Sequence, residues 1–372
     1  MFGNSWFVKL KPVQGIIGLG GGAGGWLVRG GDAWEPSGIT ATGGTMHTGQ
    51  ANPDGTPYTW HVFPGGPRGP ESPMPYTFSV TGVTGPGKIE YIVLAGGGLG
   101  GVSPNPDPGS PTGYGGAGGG GAGGLICNFQ SPPAQAVTTY HPKYPVSPGA
   151  MTVSASPGSY AIEVGRAAGG NPAPERNGKD STFNGLTAVG GGAGARAGNP
   201  SGLVAQPGGC GGGGSANDIA GSGPSSPNQG KSGGDGNPGG APNGQGAGGG
   251  GTAADGNPGV ANGDGGLGVL FDDAGYFKLS VGGITDNPTQ PGYRYLAGGG
   301  GGGGTSDNSG TPPGIGGYGG GGDAGNPGND PGSGGLADNW SGGGGGAGGG
   351  GDQTRNGGQG GQGMVFIRYV AD

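Results

Sequence analysis

Glycine comes in this chain as blocks rather than as scattered residues. Gly96–Gly98, Gly115–Gly124, Gly190–Gly194, Gly208–Gly214, Gly298–Gly304, Gly316–Gly322 and Gly342–Gly351 are stretches in which few residues carry a side chain. Such blocks bury almost no apolar surface and lose a large backbone entropy on ordering. With 113 Gly and 35 Pro in 372 residues, and no period, the ordinary reading is disorder. Collagen is excluded, because a run such as 298–304 is not Gly-X-Y. The charge argues against disorder as well: only 10% of residues are charged, and solvated disordered chains rely on net charge.

A third arrangement satisfies a glycine backbone. A run of Gly can take the polyproline II conformation, with three residues per turn, about 3.1 Å per residue and no internal hydrogen bonds. Every N–H and C=O then points outward and needs a partner. Neighbouring glycine segments can provide it, since no side chain keeps them apart, and Cα–H···O contacts add a little. Such a lattice has to form cooperatively and be anchored by real strands.

The anchoring strands are legible between the blocks. In KIEYIVLAGGG (88–98), Ile89, Tyr91 and Val93 alternate with Glu90, Ile92 and Leu94, and the strand then runs straight into glycine. Before it come ITATGGT (39–45), YTWHVF (58–63) and YTFSVTG (76–82), with GPGK (85–88) as a turn. Further strands are expected at Met151–Ala155, Tyr160–Val164, Thr182–Val189 and Phe277–Val281. MVFIRYV (364–370) is expected to return, pair with the early strands, in particular the one holding Tyr91 and Val93, and close the domain. Asn-Pro and Asn-Pro-Gly recur at 52, 171, 199, 237, 257 and 326 as turns between segments. The predicted fold is mainly β, with short strands as in a β-sandwich and almost no α-helix.

Two units are expected: residues 1–38 and residues 39–372. The first is locally basic through Lys9, Lys11 and Arg29 and dense in large aromatics, Trp6, Phe7, Trp26 and Trp34. Those aromatics form either a small accessory core or a docking segment that attaches the protein to a partner. Segment Gly15–Val28 is too short and glycine-rich to span a bilayer, and its apolar block is mostly Gly, unlike a secretory signal. The expectation is folding in a cytoplasm without membrane insertion. Net charge is −7 with no basic patch, so nucleic acid is not an expected partner. Cys127 and Cys210 have no metal spacing; they read as two free thiols, with a disulfide as the alternative.

No catalytic pattern stands out. Gly230-Lys231-Ser232 resembles the end of a phosphate-binding loop, but that motif needs Gly where Ser225 stands. GGDGNP (233–238) has Pro238 where a calcium-binding nonapeptide carries Asp. Asp272-Asp273 is an isolated acidic pair, and His47, His61 and His141 form no nucleophile–base–acid order. No enzyme activity, cofactor or metal is expected.

The strand order and its glycine blocks resemble the glycine-rich domain of bacteriophage tail-fibre and virion proteins. The matching residues are Tyr91–Gly98, Ala161–Gly165, Ser181–Gly192 and the closing Gly363–Tyr369, within residues 39–370. The departure is Val164-Gly165-Arg166, where the family continues directly into glycine. The chain is also similar to the polyglycine-helix lattice of T-even-like phage fibre-tip adhesins and to the glycine-rich region of the anaplastic lymphoma kinase receptor. These resemblances imply a short-stranded β-sandwich supporting packed polyglycine II helices. They imply a virion structural protein, assembled in the bacterial cytoplasm, either a tail-fibre or fibre-tip adhesin or a capsid decoration or tail component that binds no receptor. Other virion proteins are the implied partners, and for an adhesin a host surface glycan or outer-membrane protein.

In a lattice, the connecting loops emerge at its ends and carry function. The richest are Ser103–Tyr114, Cys127–Pro148 and Thr285–Tyr295, with Tyr114, Phe129, Tyr140, His141, Tyr144, Tyr293 and Tyr295. These rings suit stacking on sugars or anchoring on a protein, or else cap the ends of the lattice.

Overall fold

The computed structural model describes residues 38–51, 57–66, 73–104, 115–128, 151–169, 176–198, 203–216, 220–225, 229–237, 244–272, 293–304, 312–325, 341–348 and 356–370. The fold is mainly β. Among the described residues there is no α-helix, only a 3-10 turn at Gly259–Ala261 following Asn257-Pro258. No helix there is long and apolar enough to cross a membrane.

Two antiparallel sheets share one hydrophobic core. The first has the order β1-β4-β8-β9-β10, with β1 (Ile39–Thr42), β4 (Met74–Val83), β8 (Ser159–Val164), β9 (Ser181–Phe183) and β10 (Leu186–Ala188). The second has the order β2-β3-β13-β5-β6, with β2 (Thr45–Ala51), β3 (Pro57–Pro64), β13 (Met364–Val370), β5 (Lys88–Leu94) and β6 (Leu125–Cys127); β7 (Met151–Thr152) pairs with β5 as well. Phe78, Val80, Ile162 and Phe183 of the first sheet meet Phe63, Tyr91, Val93, Val365 and Ile367 of the second. These are the β-branched and aromatic residues that the alternation places on one face. A separate ribbon joins β11 (Val269–Asp272) to β12 (Tyr293–Leu296).

The expected closure by the last strand is what the structure has. β13 lies between β3 and β5, with Val365 opposite Val93 and Ile367 opposite Tyr91. Two expected strands are instead pairs. ITATGGT divides at Gly43 (φ 121) and Gly44 (φ 59) into β1 and β2, which lie in different sheets. Left-handed backbone at two successive glycines turns the chain from one sheet to the other. Thr182–Val189 is the hairpin β9–β10, reversed at Asn184 (φ 45) and Gly185 (φ 80), as an Asn-Gly pair favours. The strand expected at Met151–Ala155 is shortened to Met151–Thr152, and the one expected at Phe277–Val281 lies outside the described residues.

Strands continue into glycine without losing register. Ile92 pairs with Cys127 and Leu94 with Leu125. Beyond the strands, Ala95 N donates to Gly124 O at 3.1 Å, Gly98 N to Gly121 O at 2.9 Å and Gly101 N to Gly118 O at 2.7 Å. On the other side, Glu90 pairs with Arg368 and Leu94 with Met364; then Gly97 N donates to Gly361 O and Gly100 N to Gly358 O, both at 2.9 Å. The intervening amides, Gly96 N and Leu99 N, go to Lys179 O and Arg176 O. Every third residue therefore addresses the same neighbour.

Segment 115–124 is the centre of this packing, and all of it is buried. Gly116, Gly119 and Ala122 donate to Gly244, Ala247 and Gly250. Gly118, Gly121 and Gly124 donate to Ala195, Gly192 and Val189, and Gly120 and Gly123 donate to Gly345 and Gly342. Its carbonyls accept from three further segments: Ala95, Gly98 and Gly101; Cys210, Gly213 and Ala216; Gly300 and Gly303. Six segments thus surround one, and buried backbone groups find partners without a sheet. Close approach requires glycine here: a Cβ built on Gly118 would collide with the Gly213 carbonyl oxygen.

Candidate functional site

The register places the ends of the three aromatic-rich loops. Segment 129–150 leaves from β6 and returns at β7, and both strands pair with β5: Ile92 with Cys127, and Ile89 with Met151. Asn128 fixes the departing end by mimicking a strand partner. Its Oδ1 accepts from Tyr91 N at 2.7 Å, and its Nδ2 donates to Ile89 O at 3.0 Å. Segment 273–292 is framed by β11 and β12, where Asp272 is opposite Tyr293. Segment 105–114 joins two neighbours whose last described link is Gly101 N to Gly118 O.

These ends fall at two poles. Segment 297–303 runs antiparallel to 115–124, because Gly300 N donates to Gly120 O and Gly303 N to Ala117 O. β12, just before it, is therefore on the side of Cys127. The ends of 129–150 and of 273–292 share the sheet pole. The ends of 105–114 lie at the opposite pole, roughly 30 Å away at about 3 Å per residue of extended chain.

Tyr114, Phe129, Tyr140, His141 and Tyr144 lie outside the described residues, as do Trp6, Phe7, Trp26 and Trp34. Tyr293 and Tyr295 stand in strand β12 rather than in a loop, which corrects the expected span Thr285–Tyr295. The strand forms because Tyr293-Arg294-Tyr295-Leu296 finds a partner in Val269–Asp272. Tyr295 is only 7% exposed. Its ring stacks on Tyr318 at 5.4 Å between centroids, and Tyr318 is the exposed member of the pair at 39%. Tyr318 was not among the expected site residues; its signal in the sequence is a lone aromatic ring inside the block Gly316–Gly322. Thr252 ties this ribbon to the glycine body, its Oγ1 accepting from Val269 N at 3.0 Å and donating to Leu296 O at 3.2 Å.

Three ionisable side chains of the sheets, Glu90, Arg368 and His61, are buried. Glu90 and Arg368 form a buried ion pair, and burial raises the Glu90 carboxyl above its ordinary value despite Arg368. His61 is buried: its Nδ1–H donates to Gly43 O at 2.8 Å and its Nε2 accepts from the Tyr369 hydroxyl at 3.2 Å. Burial lowers its pKa, the Gly43 hydrogen bond acting weakly the other way. Cys127 and Cys210 are not joined in a disulfide, and both are buried. Gly230-Lys231-Ser232 cannot cradle a phosphate on its amides, because Lys231 N is bonded to Gly251 O and Ser232 N to Asp255 Oδ1. Among the described residues, no three His, Cys, Asp or Glu side chains converge as metal ligands.

What the arrangement offers is a rigid body with loop ends fixed at its poles. Comparison with known families finds a match to the model of a glycine-rich domain over residues 71–370. No curated protein matches the chain.

Proposed function

The chain belongs to the glycine-rich domain family, and from that premise we propose that it is a bacteriophage virion protein, a tail-fibre or fibre-tip adhesin that displays receptor-binding loops on a glycine scaffold. In this reading the glycine segments are polyglycine II helices in a hexagonal lattice, and the two sheets form a sandwich that anchors it. The three-residue repeat of hydrogen-bond direction and the six segments around 115–124 support the helices. The common core of the two sheets supports the sandwich.

The observation that carries the adhesin reading is the shared pole of two loop ends. Segment 129–150, with Tyr140, His141 and Tyr144, starts and finishes at strands paired with β5, and segment 273–292 starts and finishes at the β11–β12 ribbon on the same side of the glycine body. Five prolines between Cys127 and Pro148 limit the entropy lost when that loop is ordered on a ligand. Its ligand is a host surface glycan or an outer-membrane protein, met by aromatic stacking and neutral hydrogen bonds. Tyr114, whose segment ends at the opposite pole, is not part of that contact. Residues 1–38, through Trp6, Phe7, Trp26 and Trp34, attach the protein to the other virion proteins.

The test is a phage particle carrying Tyr140, His141 and Tyr144 all changed to Ala. Normal incorporation with at least a tenfold slower host adsorption is the expected result. Normal incorporation with unchanged adsorption would remove this loop as the receptor contact and favour a decoration role without a receptor.

A further inference from the structure

Arg176 and Arg196 stand together at the edge of the glycine body, beside segment 190–197. Arg176 is 7% exposed, and its Nη2 donates to Gly194 O, two residues before Arg196. Its backbone is fixed as well, Leu99 N donating to Arg176 O at 3.0 Å. Arg196 is half-buried and held by its own N–H to Leu203 O at 2.8 Å. Three buried guanidinium nitrogens, Nε and Nη1 of Arg176 and Nε of Arg196, meet no acceptor. Among the described residues, no carboxylate reaches either side chain. The nearest polar side chains of the same segment are committed elsewhere: Asn177 Oδ1 accepts from Ala193 N and Asp180 Oδ1 from Gly190 N.

The sheets give the contrast. Arg368 is buried too, yet Glu90 neutralises it and the rings of Tyr58 and Trp60 cover it. A protein of net charge −7 has carboxylates to spare, but none of the described ones pairs with Arg176. Two like charges side by side, one of them buried, are unfavourable unless something negative joins them. Burial, with the Arg196 charge acting in the same direction, lowers the Arg176 pKa to about 10, so its guanidinium stays charged at neutral pH. Water could satisfy the free N–H groups, but it would leave the charge in place.

We propose that Arg176 and Arg196 form a binding site for a phosphate-class oxyanion, which accepts from the free guanidinium N–H groups of both residues. Charge-assisted bonds from two guanidinium groups are the usual means of holding such an ion. The half-buried Arg196 is the side open to solvent, and the ion enters there. This inference is independent of the adhesin reading, since it needs neither a receptor nor an aromatic loop.

Thermal unfolding of the full chain, titrated with sodium phosphate at constant ionic strength against sodium chloride, tests it. Phosphate should raise Tm saturably, with half-saturation on the order of millimolar. Arg196→Gln should need about tenfold more phosphate, while its Tm in chloride is no lower than wild type, because a like charge beside Arg176 is gone. The result does not depend on Arg176→Gln, which also removes the bond to Gly194 O. Equal responses to phosphate and chloride, or an Arg196→Gln variant that responds like wild type, would overturn the site. Glucose 6-phosphate separates the sources: a response equal to that of inorganic phosphate admits an ester-linked group such as a phosphorylated glycan, and no response confines the site to the free ion.

Discussion

Arg368 lies directly across from Glu90 in the pairing of β13 with β5, and their side chains form an ion pair only 2% and 4% exposed. Tyr58 and Trp60 lie 4.4 and 4.8 Å from the guanidinium carbon, so the pair is enclosed by rings of β3. The last strand is thereby linked by charge to β5 and by its guanidinium to β3.

Breaking that pair on one side strands a buried charge. Glu90→Gln should destabilise the protein by about 3–5 kcal/mol, and Glu90→Leu with Arg368→Met should recover most of it. Urea unfolding of the two variants checks this; equal losses for both would mean that packing rather than charge dominates there.

Where a glycine of the body faces a neighbouring backbone, a single methyl group should not be tolerated, although alanines such as Ala117 and Ala122 fit elsewhere in the same segment. Gly118→Ala puts a Cβ into the Gly213 carbonyl oxygen and separates two hydrogen-bonded segments. A loss of about 3 kcal/mol is expected. Gly223→Ala is the control, because the nearest heavy atom to its Cβ would be Ser232 Oγ at 4.0 Å; its effect should stay within about 0.5 kcal/mol.

Stability should fall with acid through His61. Its pKa in the folded protein lies below the ordinary 6.5, so unfolding takes up a proton between the two values. The contribution is complete above pH 6.5 and is lost as pH falls through that window. A plot of urea midpoint against pH should be flatter for His61→Gln than for wild type between pH 7 and the folded pKa; parallel curves would remove His61 as the cause.

Both thiols should be silent in the native state. Cys210 is fully buried and its pKa is pushed up to about 12, and Cys127 is buried in β6. A disulfide-exchange reagent at pH 8 should label neither cysteine in folded protein and both after denaturation. Fast labelling of one thiol would locate an opening at its segment.

The parts of the fold written in side chains were legible before the structure. KIEYIVL alternates, and MVFIRYV is long and apolar enough that its pairing with Tyr91 and Val93 followed from pattern. Side-chain periodicity was silent wherever backbone conformation decided. Gly43-Gly44 looked like the end of one strand and is the switch between two sheets. Asn184-Gly185 carried its turn signal inside what read as one strand. The β11–β12 ribbon was missed because Val269–Asp272 and Tyr293–Leu296 have only four residues each, too few for an alternation to show. At the candidate site, composition singled out loops but could not say which share a pole. That information lies in the register of the glycine segments, where no side chain records it.

The hydrogen bonds also give the glycine body a reading frame of three. Gly96 and Leu99 address one neighbour, Gly97 and Gly100 a second, Gly98 and Gly101 a third. One glycine inserted at this point shifts every later amide to the wrong neighbour, and a second insertion does not correct it. Three inserted glycines bring each later residue back to the direction it has now. Change in length is therefore quantised inside the segments and free in the connections between them. A lineage of such chains can rewrite its loops at will, while the body that carries them accepts edits only in threes.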